Sequence, residues 1–301
     1  MSSSDRPRVR TGGIFTIARL LRESPILVVG ITIFGLLVLV AIFEPVINNA
    51  LLHGNRSTEL GLYDVHMPSS REHFFGTDER GRDVLALQFT GLRNSLLVGM
   101  LAGAMSLGIS VILATVAGYV GGRTETVITA ITNSWLIIPS WPVIAILVLY
   151  VAKVSLLDLA LVLAAFGWPS ATRVMTAQIA SLKSRPYVDL AKLNGFRSAS
   201  IMFREVLPNF LPYIVLSFSY AVAYNIMAET GLRVIGLGPQ TVVSLGELIN
   251  FSLYAGTLAQ GYYLVALCPI VMLVLIFASL NFINLGMEEV YNPRLKKITG
   301  L

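Results

Sequence analysis

Charged residues are scarce in this sequence, since Asp, Glu, Lys and Arg together make up only 13% of its 301 residues. Soluble domains carry roughly 25% charged residues, so this share argues against a soluble globular fold. The only cysteine, Cys268, lies in an apolar run, which excludes a disulfide framework. Hydrophobic residues, by contrast, make up 55% of the chain. The composition therefore indicates a polytopic membrane protein.

A nucleotide-binding motif is also missing, because no lysine in the chain follows a glycine and a P-loop requires that pair. The chain is therefore not expected to bind ATP in the P-loop manner. The N-terminal region has no short apolar core with a small-residue cleavage site, so we interpret the first apolar run as a retained span. The net charge of +5 could suggest a nucleic-acid partner, but most basic residues flank apolar runs, and membrane orientation explains them better.

Six apolar runs are long enough to cross a bilayer, and they predict an all-α fold. They extend over about 26–43, 95–116, 127–151, 159–174, 208–231 and 262–285. Glu44 and Pro45 are expected to end the first span. Pro139 and Pro142 interrupt the third, where the loss of backbone hydrogen bonds predicts a kink or an irregularity that lines a pore.

The longest polar stretch, residues 46–90, contains all three histidines of the chain, His53, His66 and His73. Their spacing fits no compact set of metal ligands, so we expect solvated loop histidines rather than a metal site. Within this stretch, the sequence FGTDERGRDVL at 75–85 mixes carboxylates and arginines with turn-forming residues. Paired carboxylates could serve acid–base chemistry, but no nucleophile or metal set accompanies them. We predict a turn held by local salt bridges before the next helix.

A polar, positively charged segment, YVDLAKLNGFRSASIMFREVLPN at 187–209, separates the fourth and fifth spans. Because apolar runs flank it on both sides, it must lie in water at a membrane face. Tyr187 and Ala191 share one helical face, whereas Asp189 and Lys192 share another. This spacing predicts a short helix at the start of the segment.

Gly195 gives the backbone of this segment the freedom to turn. Ser198 is predicted to cap a second short helix that carries Ile201. Leu207 and Pro208 then open the next span, since proline is tolerated where a helix begins. A compact helix–turn–helix held between two membrane helices is suited to act as a handle for a soluble partner.

The second span ends in a glycine-rich sequence, AGYVGGR at 117–123. A glycine-rich loop could cradle a phosphate, but no strand precedes this one and no Gly-Lys-Ser/Thr follows it. We therefore predict a tight turn at a membrane surface.

Basic residues are distributed unequally between the two sides that six spans define. One side holds both termini and fifteen of the 22 basic residues, namely Arg6, Arg8, Arg10, Arg19, Arg22, Arg123, Arg173, Lys183, Arg185, Lys192, Arg197, Arg204, Arg294, Lys296 and Lys297. The other holds Arg56, Arg71, Arg80, Arg82, Lys153 and Arg233, with Arg93 at the boundary. The positive-inside rule therefore predicts that both termini and the polar segment 187–209 are cytoplasmic. Residues 14–21 of the N-terminal tail form either a short amphipathic surface helix or part of an unstructured tail.

Several of these motifs resemble those of the ABC-importer permeases, in particular the second permease of the dipeptide, oligopeptide and nickel importers. The segment 187–209 resembles the family's "EAA" loop, with Asp189, Ala191, Gly195 and Leu207-Pro208-Asn209 in matching register. The stretch before the second span resembles the "GTDxxGRD" signature and matches it at Gly76, Thr77, Asp78, Gly81, Arg82 and Asp83. AGYVGGR resembles the family's "AGYYGG", and Asn292-Pro293-Arg294 resembles its "DPR" ending.

The resemblance implies the type I ABC-importer transmembrane fold with six transmembrane helices. It divides the chain into a cytoplasmic tail at 1–24, a first helix and extracytoplasmic loop at 25–92, a core at 93–288 with a coupling loop at 185–206, and a second tail at 289–301. It implies coupling to ATPase subunits through Tyr187, Asp189, Ala191, Lys192, Gly195, Ser198, Ile201, Arg204, Leu207 and Pro208.

The resemblance also implies the partners: a homologous permease, two ABC ATPase subunits and an extracytoplasmic substrate-binding protein, all at the inner membrane. The chain itself would be non-hydrolysing and would hold no cofactor, because ATP binds to the ATPase subunits. Members of the family carry dipeptides, oligopeptides, nickel chelates and oligosaccharides. Within the loop, this sequence departs from the family pattern at Asp189, Leu190 and Glu205, which implies an individual fit to the ATPase subunits. It also departs at Asn133, Arg233 and Tyr262, and these three departures suggest a less common substrate such as a sugar.

Four residues are candidates for lining the translocation pathway: Asn133, Pro139, Glu229 and Arg233. Glu229 and Arg233 lie four residues apart near the end of the fifth span. An ionisable residue at membrane depth is a candidate for contact with the permeant. The same spacing is also that of an ordinary ion pair on a helix, so both interpretations stay open.

Two other function classes are compatible with a polytopic helical protein. A secondary transporter or channel would need ionisable residues along an ion path and often has internal repeats. The sequence shows no clear repeat and offers only Glu229 and Glu247 as candidates. An intramembrane enzyme would need a catalytic dyad, and no span contains a histidine.

Overall fold

The structure, a computed structural model, describes residues 24–150, 155–239 and 242–291. Within these residues the chain is helical apart from its loops and one isolated bridge between Thr77 and Asp83. The helices are α1 (Pro25–Leu51), α2 (Val84–Val120), α3 (Gly122–Ile137), α4 (Ser140–Tyr150), α5 (Leu156–Lys183), α6 (Pro186–Leu193), α7 (Ser198–Ile201), α8 (Leu207–Val234), α9 (Leu245–Ala255) and α10 (Tyr263–Tyr291). A π-helical turn, Met202–Val206, joins α7 to α8.

Among the described residues, five helical segments are long and apolar enough to cross a membrane, judged by length and composition. The pair α3 and α4 makes a sixth span if its two halves are counted together, with a bend of 73° between them. The bend falls at Pro139, between the end of α3 and the start of α4. The predicted all-α fold and the interruption of the third span at Pro139 are therefore confirmed, and six spans result when α3 and α4 are counted as one. Pro142 does not interrupt the span, because it lies in the first turn of α4, where proline is tolerated.

Helix α2 lies at the centre of the bundle, where it packs against α5, α8 and α1. Gly99 and Gly103, four residues apart on one face, lie where α2 packs against α8. Gly99 lies directly against the Ile226 side chain, and a Cβ at Gly103 would come within 3.1 Å of Val222. Small residues at this spacing let two membrane helices pack with their backbones close together. Leu92, Leu96, Val222 and Ile226 form one apolar cluster around this contact.

The first membrane helix does not end at Glu44 and Pro45 as predicted, but continues to Leu51. Proline removes only one backbone donor from the helix, and buried side chains support this region. The Glu44 carboxylate accepts hydrogen bonds from Asn48 Nδ2 and Thr90 Oγ1, both at 2.7 Å, and forms an ion pair with Arg93 at 3.0 Å. These contacts tie α1 to α2 and shorten the connecting loop to residues 52–83.

The prediction of solvated loop histidines is wrong for His73, which is buried and lies 2.8 Å from a carboxylate oxygen of Asp83. His66 stacks on Tyr262, with ring centroids 4.0 Å apart, whereas His53 is exposed. No group of three or more His, Cys, Asp or Glu side chains within the described ranges is arranged to hold a metal ion.

Several sequence predictions lie outside the described residues. They concern the N-terminal tail with its five arginines, Lys153, and most of the C-terminal tail, including Arg294, Lys296 and Lys297.

Candidate functional site

The segment between α5 and α8 folds as the predicted pair of short helices, α6 and α7, with the break at Gly195. Gly195 has a φ of +76°, in the left-handed region that glycine adopts without cost. The Phe196 amide donates to the Ala191 carbonyl and the Gly195 amide donates to the Lys192 carbonyl. This pair of bonds is a Schellman motif, which ends α6 and sets the direction of α7.

Ser198 does not cap α7, because it is the first residue of that helix and Arg197 takes the cap position without a side-chain hydrogen bond. The second helix is continued by the π-helical turn instead of ending in a separate loop. Leu207 and Pro208 open α8, as predicted. Arg204 is exposed and lies in the π-helical turn.

One face of this helix pair is buried against the ends of α2 and α5. Val188 and Ala191 of α6 and Ile201 of α7 belong to an apolar cluster with Met175 and Ile179 of α5. Tyr187 packs against the same cluster. The face that the sequence singled out through Tyr187 and Ala191 is therefore the one that fixes the loop to the bundle.

Four apolar side chains of the same segment are exposed, and two of them, Leu190 and Leu193, lie on the face of α6 opposite Val188 and Ala191. Leu190, Leu193, Phe196 and Phe203 are exposed by 60%, 84%, 52% and 61% respectively. Sequence reasoning missed these four as a surface, although the spacing of Leu190 and Leu193 already places them on one helical face. The Asp189 and Lys192 side chains form a surface ion pair at 2.8 Å beside them. An exposed apolar surface at the tip of a polar loop is typical of a protein contact site.

The signature at 75–85 forms the predicted turn held by salt bridges, at the other end of α2. Arg82 and Asp78 are both buried and form an ion pair at 2.6 Å. Asp78 also accepts hydrogen bonds from the Arg80 and Arg82 amides, and Asp83 caps α2 by accepting from the Ala86 amide. The signature thus fixes the start of the central helix.

The remaining signature residues hold neighbouring loop segments. The Thr77 hydroxyl donates to the Asp64 carbonyl at 2.7 Å. Gly76 and Gly81 both have positive φ, and the Met67 and Tyr63 carbonyls respectively occupy the space that a side chain would need. The Arg80 guanidinium lies 3.8 Å from the centre of the Phe251 ring, which joins the signature to α9.

Arg233 is almost completely buried and forms the centre of an ion network between α8 and α9. Its guanidinium lies 2.6 Å from Glu247 and 3.8 Å from Glu229. It also donates hydrogen bonds to the carbonyl oxygens of Pro239 and Val242. Two buried carboxylates thus share one buried cation. The structure places Glu229 and Arg233 in the interior as an ion pair rather than on a lining surface.

The same network reaches α2 through a serine. Ser95 donates to Glu229 at 3.2 Å and accepts from the Leu245 amide at 3.1 Å. Burial raises the pKa of the Glu247 carboxyl above its ordinary value, and the neighbouring Arg233 opposes that rise. Buried polar contacts therefore connect α2, α8 and α9 with one another at the end of the molecule that carries the signature.

An open groove with a volume of about 670 Å³ lies between α3, α5 and α8. Aliphatic residues such as Leu136, Ile138 and Val174 make up about half of its lining. The aromatic and hydroxyl-bearing residues of the lining are Trp135, Phe166, Tyr220, Tyr224, Ser140, Ser170 and Ser217. None of the described residues that line it carries a charge. Pro139 is exposed between two lining residues, Ile138 and Ser140, and Asn133 is exposed on α3 one turn away from the groove.

A bundle of apolar helices with a charged, apolar-tipped loop at one end and an uncharged groove in its side is compatible with the membrane subunit of a transport system. Residues 89–297 match the model of the family described as "Binding-protein-dependent transport system inner membrane component". The chain belongs to that family. It is a permease subunit of an ABC importer, of the kind that forms the second permease in the dipeptide and oligopeptide systems.

Individual relatives share about three residues in ten with this chain. The oligopeptide transport system permease protein OppC of Bacillus subtilis is 28% identical over 92% of this chain and 88% of its own length. OppC of Mycobacterium tuberculosis is 30% identical over 77% of this chain and 79% of its own length. A probable peptide ABC transporter permease protein of Sinorhizobium fredii is 29% identical over 98% of this chain and 97% of its own length.

Proposed function

We propose that this chain forms one half of a peptide translocation pathway and receives the motion of separate ATPase subunits through the coupling loop at 185–206. The observation that carries the proposal is that one face of that loop is packed against the bundle and the other is exposed. Val188, Ala191 and Ile201 fix one face to the bundle, while Leu190 and Leu193 leave the other face apolar and open. Exposed apolar surface of this kind marks a contact site, and here a partner protein would cover it.

Charge distribution supports a cytoplasmic position for the coupling loop. Arg185, Lys192, Arg197 and Arg204 all lie within it, and the positive-inside rule assigns such segments to the cytoplasm. ATP is available on that side. The signature at 75–85 and α9 then face the outside, where a substrate-binding protein would deliver its ligand.

Energy transfer follows from the packing of the loop. ATPase subunits that close around ATP would displace α6 and α7, and the apolar contacts with α5 and α2 would carry that displacement into the bundle. The bundle would then exchange between two arrangements, and nucleotide binding would bias that equilibrium. In this scheme the chain itself hydrolyses nothing.

The groove between α3, α5 and α8 would supply this chain's half of the pathway, and a homologous permease would close it. Aromatic rings and hydroxyl groups without fixed charge suit a route that many different peptides must pass. The names of the relatives favour peptides. The aromatic lining would also suit an oligosaccharide, since sugar rings pack against aromatic side chains.

Replacement of Leu193 with aspartate tests the docking role of the loop. Burial of a leucine side chain contributes roughly 1.5–3 kcal/mol, so its loss should weaken binding of the ATPase subunits more than tenfold. Co-purification of the ATPase subunits with the complex measures this. Leu253→Asp is the matched control, because Leu253 is 65% exposed on α9 at the opposite end. Equal recovery of the ATPase subunits in both variants would contradict the proposal.

A further inference from the structure

The glycine-rich turn AGYVGGR at 117–123 lies where three elements meet: the end of α2, the end of α5 and the start of α7. Its glycines shape the joint. Gly118 packs so closely on α5 that a Cβ there would come within 2.7 Å of the Thr176 carbonyl oxygen. Gly121 and Gly122 both have positive φ and turn the chain from α2 into α3. Between these glycines, Tyr119 is half-buried and packs against the apolar cluster that includes Ile179 and Val188, which accounts for its ring but not for its hydroxyl.

Tyr119 connects the coupling loop to the central helix by a directional bond. Its hydroxyl donates to the Ser198 carbonyl, in the first residue of α7, at 2.7 Å. Within the described residues, this is the only side-chain hydrogen bond that joins residues 186–206 to a helix that is not their neighbour in the sequence. The other contacts of the loop with α2 are apolar and non-directional. The Tyr119 hydrogen bond adds a directional link to this packing.

Lys183, the last residue of α5, also contacts Tyr119. Its ammonium group lies 5.7 Å from the centre of the Tyr119 ring, within the range of a cation–π contact. It also lies 3.5 Å from the carbonyl oxygen of Val120, the last residue of α2. One side chain of α2 thus touches both α5 and α7.

Helix α2 is suited to carry a displacement from this joint to the far end of the molecule. It has 37 residues, which correspond to a rod of about 55 Å. Asp83 caps its far end within the signature, and Ser95 bonds it to Glu229 and to the start of α9. A displacement of α2 at Tyr119 would therefore reach the signature and α9 at the other end of the helix.

We propose that Tyr119 is a positioning residue for energy coupling: its bond to the Ser198 carbonyl transfers motion of the coupling loop into α2. This inference rests on the proposed function, since it requires that the ATPase subunits move the loop. It assigns Tyr119 no role in docking, because its hydroxyl faces α7 from the bundle side. Loss of this hydrogen bond should leave the rate of ATP hydrolysis unchanged. The conformational change of the bundle that accompanies hydrolysis should become smaller.

The test uses the complete importer with the substitution Tyr119→Phe, which keeps the ring and its contact with Lys183. The readout is the rate at which a membrane-impermeant maleimide labels a Ser217→Cys reporter in the groove, in a Cys268→Ser background, with and without ATP and vanadate. ATPase activity of the same preparation is measured alongside. This readout does not depend on the identity of the substrate.

With Tyr119 present, ATP should change the labelling rate of the reporter. In Tyr119→Phe that change should be roughly two- to tenfold smaller at an equal rate of ATP hydrolysis, the range expected for one neutral hydrogen bond. Lys183→Met should reduce the change in the same direction but by less, since the hydroxyl bond survives. Tyr213→Phe is the matched control, because Tyr213 is 42% exposed on α8 and makes no side-chain hydrogen bond within the described residues.

An unaltered response of the reporter in Tyr119→Phe would overturn the inference and leave the proposed function intact. A parallel fall in complex yield, ATPase activity and reporter response would also overturn it, because Tyr119 would then be a folding residue. If ATP does not change labelling even with Tyr119 present, the proposed function itself fails.

Discussion

Replacement of Gly195 with valine is expected to abolish ATP-driven uptake while the protein still inserts into the membrane. Gly195 has a φ of +76°, and a left-handed backbone costs a residue with a side chain roughly 1–2 kcal/mol, with β-branched residues the worst. A Cβ at this position would meet no described atom within 4 Å, so the effect comes from the backbone alone. The Schellman turn would open, and α7 would point away from its docking direction. Uptake and ATPase stimulation in reconstituted importer measure the effect.

Two control variants separate the backbone effect from a general loss of stability. Gly195→Asn should retain most activity, because asparagine adopts the left-handed conformation more readily than other residues with a side chain. Gly261→Val introduces the same strain at the far end of the molecule, where φ is +87° and space is equally open, and should leave coupling intact. Full uptake in Gly195→Val would refute the role assigned to the loop.

Replacement of Arg233 with methionine is expected to cause the largest loss of stability. The substitution leaves Glu229 and Glu247, which are 0% and 4% exposed, without their shared cation. Breaking a buried ion pair by removal of one partner costs roughly 3–5 kcal/mol. We expect a strongly lowered midpoint of thermal unfolding in detergent and little folded protein in the membrane.

Two further variants test whether unpaired buried charge is the cause of the stability loss in Arg233→Met. The triple variant Arg233→Met, Glu229→Gln and Glu247→Gln removes all three charges and should recover most of the lost stability. Arg173→Met removes an exposed arginine from α5 and should have little effect. If Arg233→Met alone unfolds at the wild-type temperature, the ion network does not stabilise the junction of α8 and α9.

Local sequence signals sufficed for the features that depend on nearby residues. The turn at Gly195, the helix start at Leu207 and Pro208, and the salt-bridged signature around Asp78 and Arg82 each involve residues within a few positions of one another. Apolar run lengths predicted the spans for the same reason. Residue type alone did not place the cap of α7: Ser198 is a suitable capping residue, but it is the first residue of that helix and Arg197 takes the cap position.

Contacts between distant parts of the chain were beyond the reach of sequence patterns. Glu44 and Arg93 are 49 residues apart, so the ion pair that extends α1 past Pro45 left no periodic signal. Glu247 could not be recognised as the main partner of Arg233, because α9 folds back onto α8 only in three dimensions. The groove depends likewise on the packing of α3, α5 and α8, and therefore its aromatic lining went unpredicted.

The most direct measurement of the central claim is the accessibility of a cysteine at the tip of the coupling loop. In a Cys268→Ser background, Leu193→Cys places a thiol at a side chain that is 84% exposed, and Leu253→Cys places one on α9 at the opposite end. We predict that a membrane-impermeant maleimide labels Leu193→Cys only from the cytoplasmic side, and that the ATPase subunits protect it. Leu253→Cys should react only from the outside. Labelling of Leu193→Cys from the outside, or no protection by the ATPase subunits, would contradict the account.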